Sequence, residues 1–324
     1  MIEIYRTNEL EKLEHIAEED FLKEGFDITN CWINLTNPSD KEVAFISKIT
    51  SVEDDVLKYA LDEEERSRIE AEEDYSVILV DAPVLEQEED YCSYSTIPLA
   101  VIVKESLFIT VCLKETAIIR DFVRRRIKGF ATYKKTRFLY QILYNVAVKF
   151  LAYLKQIDKA SQRIQNELHK STRNKELIQM LDLENSLVYF STSLTGNDSV
   201  ITKLSNSKGL LNNFVKKYED DEELLEDVAI ETKQAIEMCS IYRDILTGMM
   251  DAYASVISNN LNVVMKVLTS MTLVVSIPTL IASFFGMNTA VPGQGSIVGF
   301  WIVVGISLVI SIIIGIFLHK KKLL

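Results

Sequence analysis

The sequence predicts an α+β membrane protein, with a cytosolic N-terminal domain of strands and helices, a long stalk helix and two C-terminal transmembrane helices. Two uncharged apolar runs, 267–285 and 297–318, are each about 20 residues long, which is enough for a helix to cross a hydrocarbon core of about 30 Å. No proline occurs in 99–277, which favours long helices. The β-branched runs of strand length fall within the first 115 residues. Two buried helices of a soluble protein are the alternative, but a soluble hairpin of this length should show a polar face.

The first 115 residues are predicted to form the strands of the cytosolic domain. Pro83 and Pro98 are expected to bound strands, and Lys104-Glu105-Ser106 is expected to be a hairpin turn. The predicted strands are 31–35, 75–80, 97–103 and 107–113.

Helix-start signals lie between these strands. One helix is predicted to begin at Ser39 or Asp40, and another near Ser51, where Asp54 follows three residues later as in a capping box. The sequence has no glycine-rich phosphate loop and no nucleophile motif, so no enzyme is predicted.

Beyond Thr116 the sequence is predicted to be helical nearly throughout. Gly196 and Gly209 are expected to mark breaks between helices, whereas Gly248 lies inside the stalk. A stalk that runs unbroken from Asp221 to Phe285 would be about 98 Å long. The predicted helices are 116–127, 134–172, 175–192 and the long helix from Asp221.

Basic residues at the ends of the spans predict the orientation in the membrane. Lys266 precedes the first span, and His319-Lys320-Lys321-Lys322 closes the second. Because basic residues mark the cytoplasmic side, both termini are expected in the cytoplasm. The protein is expected in the plasma membrane or the inner membrane. The predicted divisions are a cytosolic domain over 1–220, a stalk over 221–262, spans over 263–285 and 297–318, an outer loop over 286–296 and a basic tail over 319–324.

Composition narrows the range of partners. The net charge of −12 falls in the soluble part, which disfavours nucleic acid and favours cations. The four cysteines are widely spaced without a Cys-x-x-Cys pair, so they are interpreted as reduced cytosolic thiols. The three histidines are too scattered for a zinc or catalytic cluster.

The first span carries a polar stripe. Its members are separated by alternating steps of three and four residues, a period of 3.5 that keeps one face toward a bundle axis. One interpretation is helix packing, since small hydroxyl residues let helices approach closely. The other is a water-filled pore lined by rings of hydroxyls, to each of which every subunit contributes one side chain. The stripe consists of Asn262, Met265, Thr269, Thr272, Ser276, Thr279, Ser283 and Gly286.

The stripe ends in Gly286-Met287-Asn288, which resembles the GMN signature of the CorA family of divalent-cation channels. The segment from Tyr242 to Thr269 also resembles the family's passage from stalk to pore, and the basic tail fits as well. The resemblance implies an α/β/α cytosolic domain on the stalk and a homopentamer that conducts Mg²⁺, with Co²⁺ or Ni²⁺ as surrogates. It implies a selectivity filter at Gly286, Met287 and Asn288.

A pore for Mg²⁺ has a physical rationale. Mg²⁺ gives up its water reluctantly, so a ring of neutral oxygens from Asn288 can hydrogen-bond the hydrated ion without stripping it. The hydroxyls of the stripe, with Asn262, would pass the ion inward. Met265 and Leu268 would form an apolar constriction that gates by dewetting, or they pack between helices.

Acidic clusters have two interpretations. Seven carboxylates occupy nine positions over 219–227, where a solvated helix N-terminus favours acids. The resemblance implies instead regulatory Mg²⁺ bound between subunits, with Asp227 as the stalk acid and Asp55, or its neighbour Asp54, as its partner on the next subunit.

The sequence departs from the family at the outer loop, where Val291-Pro292-Gly293-Gln294 carries no carboxylate. The resemblance also implies magnesium over zinc, because Met287 stands at the centre of the signature. A Zn²⁺ transporter of the same fold is the first alternative, although the spans contain neither His nor Cys. A membrane-anchored cation sensor that does not conduct is the second alternative.

Overall fold

The computed structural model describes residues 1–17, 21, 26–87, 92–168, 174–206, 220–288, 292 and 295–321. Backbone contacts divide the chain into two compact units, Met1–Gly248 and Met249–Leu324. The strands are β1 (Ile2–Thr7), β2 (Leu13–Ile16), β3 (Cys31–Thr36), β4 (Arg68–Ala71), β5 (Tyr75–Gln87), β6 (Cys92–Lys104) and β7 (Leu107–Cys112). The helices are α1 (Asp40–Thr50), α2 (Asp54–Lys58), α3 (Ala117–Val123), α4 (Lys135–Leu168), α5 (Asn174–Asn206), α6 (Asp221–Phe285) and α7 (Ile297–Lys320).

The first unit is built on one mixed sheet of seven described strands in the order β2-β1-β3-β7-β6-β5-β4. The pair β3–β7 is parallel, and the other neighbouring pairs are antiparallel. The β6–β7 hairpin confirms the predicted turn at Lys104-Glu105-Ser106. The predicted strands 31–35 and 107–113 are observed with one-residue differences at their ends.

Both faces of the sheet are covered, which gives the α/β/α arrangement. Alternate strand residues such as Cys31, Ile33 and Leu35 pack on one face in a cluster that includes Ile46 of α1 and Leu57 of α2. This alternation follows from the two-residue period of a strand.

The opposite face carries an aromatic cluster. Trp32 of β3 and Phe108 of β7 meet Phe122 of α3 and Phe138 of α4, and the rings of Phe108 and Phe138 stack with centroids 4.1 Å apart. All four of these side chains are fully buried. The α/β/α domain expected from the resemblance is therefore confirmed.

The predicted long helix is confirmed: α6 runs from Asp221 to Phe285 without interruption, as 65 residues that include Pro278. The helix α7 extends two residues beyond the predicted span to include His319 and Lys320. The domain divisions inferred from the sequence remain a prediction. The boundary between the two compact units follows Gly248, within α6.

Two expected strand ends were wrong. Pro83 lies inside β5 opposite Thr96, and Pro98 lies inside β6 opposite Asp81. Within the described residues β4 pairs with β5 only over 76–79, and β7 pairs with β6 only over 99–103. Each proline therefore lies where its strand has an open edge, and there a missing N–H costs no ladder hydrogen bond.

The helix-start predictions were right at one position and wrong at another. The helix α1 begins where the sequence predicted, with Ser39 as its N-cap, and Ser39 forms a capping box with Glu42 that was expected instead at Ser51 and Asp54. Ser51 does not begin a helix: it is the left-handed residue that ends α1, with φ 55°, and α2 begins at Asp54 after Glu53.

Gly196 does not break a helix, because α5 continues through it to Asn206. A Cβ at this position would lie 3.0 Å from Oγ of Ser67, so the glycine allows α5 to approach the backbone at Ser67 closely. Gly209, the other expected break, lies outside the described residues.

Candidate functional site

The predicted pore residues lie along one exposed face of α6. Met265 and Leu268 have exposed fractions of 53 % and 58 % within the single chain. The stripe residues that are exposed are Asn262, Met265, Thr269, Thr272, Ser276, Thr279, Ser283 and Gly286.

A second face of the same helix is shielded within the chain. Ser270 is buried, and Val267, Val274, Ile277 and Ile281 are partly buried, again with steps of three and four. At 100° per residue this face is centred on the side of the helix opposite the hydroxyl stripe. The first membrane segment therefore turns its polar stripe away from the face that its own chain covers.

Three hydroxyls of the stripe donate their hydrogens to the backbone of α6. Thr272 donates to the carbonyl of Leu268 over 2.8 Å, Ser276 to Thr272 over 2.7 Å and Thr279 to Val275 over 3.0 Å. A hydroxyl that has given its hydrogen to a carbonyl keeps lone pairs that accept. The exposed surface of these groups is therefore a surface of hydrogen-bond acceptors.

The stripe ends where the helix ends. The N–H of Gly286 closes on the carbonyl of Ala282 over 2.9 Å, and the N–H of Met287 reaches Phe284 over 3.4 Å. Asn288 follows this turn and is exposed. The acid-free stretch Val291-Pro292-Gly293-Gln294 lies outside the described residues except for Pro292.

The two carboxylates predicted for regulation are surface groups of the first unit. Asp227 is exposed on α6, and Asp55 is exposed in the only turn of α2. Lys58 hydrogen-bonds Asp40 over 2.8 Å, and its pKa is raised by that bond first and then by the charges of Asp54 and Asp55. Asp55 thus already has a cation nearby. Across the described part of the chain, no three His, Cys, Asp or Glu side chains form a metal-binding group.

The sequence did not reveal which residues interact with the acidic start of α6. Asp220 lies 3.5 Å from the guanidinium of Arg137, and Asp221 is buried. Burial, followed by the charges of Asp221 and Glu222, raises the pKa of Tyr140 to about 12. Arg137 and Tyr140 belong to α4, more than 80 residues upstream of these acids, so periodicity and motifs carried no signal of the contact.

Two described helices, α6 and α7, contain apolar windows long enough to cross a membrane, and only 6 % of each window is buried. An exposed apolar surface of that size is stable in lipid and not in water. With the α/β/α domain, these helices define an integral membrane protein that has a polar stripe on one of its two spans.

Comparisons with known proteins agree with this class. The family described as CorA-like Mg²⁺ transporter protein matches residues 28–320. The cobalt/magnesium transport protein CorA of Methanocaldococcus jannaschii is 28 % identical over 93 % of this chain and 92 % of its own length. The protein of the same description from Thermotoga maritima is 24 % identical over 91 % of this chain and 83 % of its own length.

A solved structure extends the similarity to three dimensions. The complete CorA magnesium transporter from M. jannaschii superimposes with a TM-score of 0.80 and 25 % identity, over 99 % of this chain and 98 % of that one. The chain therefore belongs to the CorA-like Mg²⁺ transporter family, whose members are membrane ion transporters and not enzymes.

Proposed function

We propose that this protein is a homopentameric channel for divalent cations, with Mg²⁺ as its main substrate and Co²⁺ or Ni²⁺ as surrogates. The two curated relatives named above are described as cobalt/magnesium transport proteins, which supports this choice of ions.

The observation that carries the proposal is the exposed acceptor surface of α6. Water bound to Mg²⁺ presents only hydrogens to its surroundings, so a hydrated ion needs acceptors and is repelled by donors. Thr272, Ser276 and Thr279 direct their own hydrogens to backbone carbonyls and leave their oxygens exposed. Repeated around a ring of subunits, these oxygens would line a path that takes the hydrated ion.

Asn288 is proposed as the selectivity ring at the outer mouth, with Gly286 and Met287 shaping the turn that presents it. Its side-chain carbonyl accepts hydrogen bonds from the water of the hydrated ion, and neutral oxygens do not strip that water. Gly286 and Met287 end the helix through their backbone N–H groups, which places Asn288 directly after the last turn of α6.

Met265 and Leu268, at the other end of the stripe, are proposed as the gate. Both are large and apolar, and both are exposed in the single chain. A narrow ring of such side chains excludes water and so blocks a hydrated ion. Asn262 and Thr269 would flank this constriction, so that acceptors resume on both sides of it.

Regulatory Mg²⁺ is proposed to bind between Asp227 of one subunit and Asp55 of its neighbour, and to hold the channel closed when cytosolic Mg²⁺ is plentiful. Exposure of both carboxylates on a single chain is what a site between subunits requires. Lys58, which is bonded to Asp40, also interacts with the charge of Asp55, so the ion binds Asp55 against the repulsion of a nearby ammonium group.

The proposed orientation places both termini in the cytoplasm and Asn288 outside. His319 and Lys320 lie in the last turn of α7, where cations also interact favourably with the helix dipole.

The test is Mg²⁺ uptake into vesicles that contain the purified protein, with the wild type beside Asn288→Ala. We expect uptake by the wild type and its loss in the variant, with the oligomer intact by light scattering. A protein that carries Zn²⁺ but not Mg²⁺ under these conditions would be a zinc transporter of the same fold. Failure to carry any divalent cation at low internal Mg²⁺ would leave a non-conducting sensor.

A further inference from the structure

A cavity of about 540 Å³ lies between the two membrane helices, near the loop that joins them. Pro278, Ala282 and Phe285 line it from α6, and Gly299, Phe300 and Val304 line it from α7. None of the lining residues is charged. The space arises because the facing positions are small or lack a helix hydrogen bond, as at Ala282, Gly299 and Pro278.

The lining of this cavity is mostly apolar. Ser307 also lines it, but its hydroxyl hydrogen is donated to the carbonyl of Val303 over 2.8 Å, so it offers no free donor to the cavity. Ser296 also lines the cavity at the start of α7 and makes no side-chain cap bond, so a few hydroxyls interrupt walls that are otherwise apolar. A cavity with mostly apolar walls takes an apolar guest.

The cavity is continuous with the lipid-facing surface of α7. Phe300 and Leu308 line it, and their side chains remain 62 % and 57 % exposed. They adjoin the exposed Trp301 and Val309 on the same helix. In the membrane this surface is covered by lipid, so the ambient molecule at the mouth of the cavity is an acyl chain.

Size agrees with that guest. A cavity of about 150 Å³ holds one benzene molecule, six carbon atoms. By the same ratio, this cavity has room for about 20 carbon atoms, the size of a single acyl chain. The cavity face of α6 includes Pro278, Phe285 and Gly286, and Gly286 is also the last member of the stripe, so the cavity reaches the stripe at its outer end.

We propose that the cavity between α6 and α7 is a binding site for one acyl chain of a membrane phospholipid, which fills the space between the two spans beside the proposed pore. The proposal does not depend on the transported ion. Because the lining carries no charge, binding is expected to be independent of the lipid headgroup.

The test is native mass spectrometry of the full-length protein, transferred to detergent from vesicles of palmitoyl-oleoyl phosphatidylglycerol and phosphatidylethanolamine. The wild type is expected to retain about one phospholipid per chain, of either headgroup. Gly299→Phe fills the cavity and is expected to lose that lipid. Gly305→Phe makes the same change on α7, where an added Cβ meets nothing within 4 Å, and is expected to retain it.

Equal lipid retention by wild type and Gly299→Phe would overturn the proposal. A wild-type oligomer that retains no phospholipid would also overturn it. If Gly299→Phe does not assemble, Val304→Phe fills the same space from the next turn of α7, and the same comparison with Gly305→Phe decides.

Discussion

Removing the hydroxyls from the exposed stripe should slow transport without unfolding the protein. The triple variant Thr272→Val, Ser276→Ala, Thr279→Val keeps nearly the same side-chain volume and removes three acceptors per chain. Each hydroxyl hydrogen is bonded within α6, so the helix loses only local hydrogen bonds that α-helices do not require.

The size of the effect follows from hydrogen-bond energies. A typical hydrogen bond contributes about 1 kcal/mol net, and the hydrated ion would lose one or two such bonds at its least favourable position. A barrier that rises by about 1–2 kcal/mol slows Mg²⁺ passage by about 5- to 30-fold. The assay is the initial rate of Mg²⁺ uptake into vesicles under a fixed gradient.

Ser270→Ala is the matched control. Ser270 is a hydroxyl residue of the same helix, but it is buried on the shielded face. Its variant should carry Mg²⁺ at the wild-type rate. If the triple variant also transports at the wild-type rate, or if Ser270→Ala is slowed as much, the stripe serves helix packing and the reasoning about acceptors is wrong.

Three further outcomes are expected. Asn197→Ala removes hydrogen bonds to the backbone N–H and carbonyl of Asp81 and to Ser67, so thermal unfolding should show a loss of about 2–4 kcal/mol, whereas the exposed Ser199→Ala should lose little. Burial raises the pKa of Asp81, so the folded chain holds this proton more tightly than the unfolded chain; stability should fall as pH rises from about 4 toward neutral, and Asp81→Asn should lack that fall. A difference between wild type and Asp81→Asn that does not change with pH would contradict this sign. Asp227→Ala should weaken the protection that Mg²⁺ gives the cytosolic domain against protease, and unchanged protection would count against the regulatory site.

The parts of the fold that depend on local sequence were predictable. The absence of proline and the long apolar run predicted α6, because helix formation requires only neighbours within one turn. The start of α1 at Ser39 or Asp40 was predictable for the same reason. The alternation of three and four residues placed the stripe from Asn262 to Ser283 on one face of the helix, and its role as a pore lining stays a prediction.

The parts that depend on distant residues were not predictable. Pro83 and Pro98 lie inside strands because the neighbouring strands stop short of them, which no local signal reports. Asn197 pairs with the backbone of Asp81, 116 residues away, just beyond the end of β4. The strands β1, β2 and β4 were missed, since runs of four to six residues in one sequence carry a weak signal.

The site shows the same division. The sequence indicated which face of the first span is polar, but the direction of each hydroxyl hydrogen required the structure. The sequence also indicated that the start of α6 is acidic. It did not indicate that Arg137 and Tyr140 of α4 lie beside those acidic residues, because the interaction joins distant parts of the chain.

The central claim is that the hydroxyl stripe faces water inside an oligomer. Its most direct test is the reaction of single cysteines with a charged methanethiosulfonate, in a protein whose four native cysteines are replaced by serine. Thr272→Cys, Ser276→Cys and Ser283→Cys are expected to react, because a thiol needs water to ionise. Leu273→Cys and Phe284→Cys, exposed on the apolar side of the same helix, are expected not to react. Reaction on both sides, or on neither, would contradict a water-filled path along the stripe.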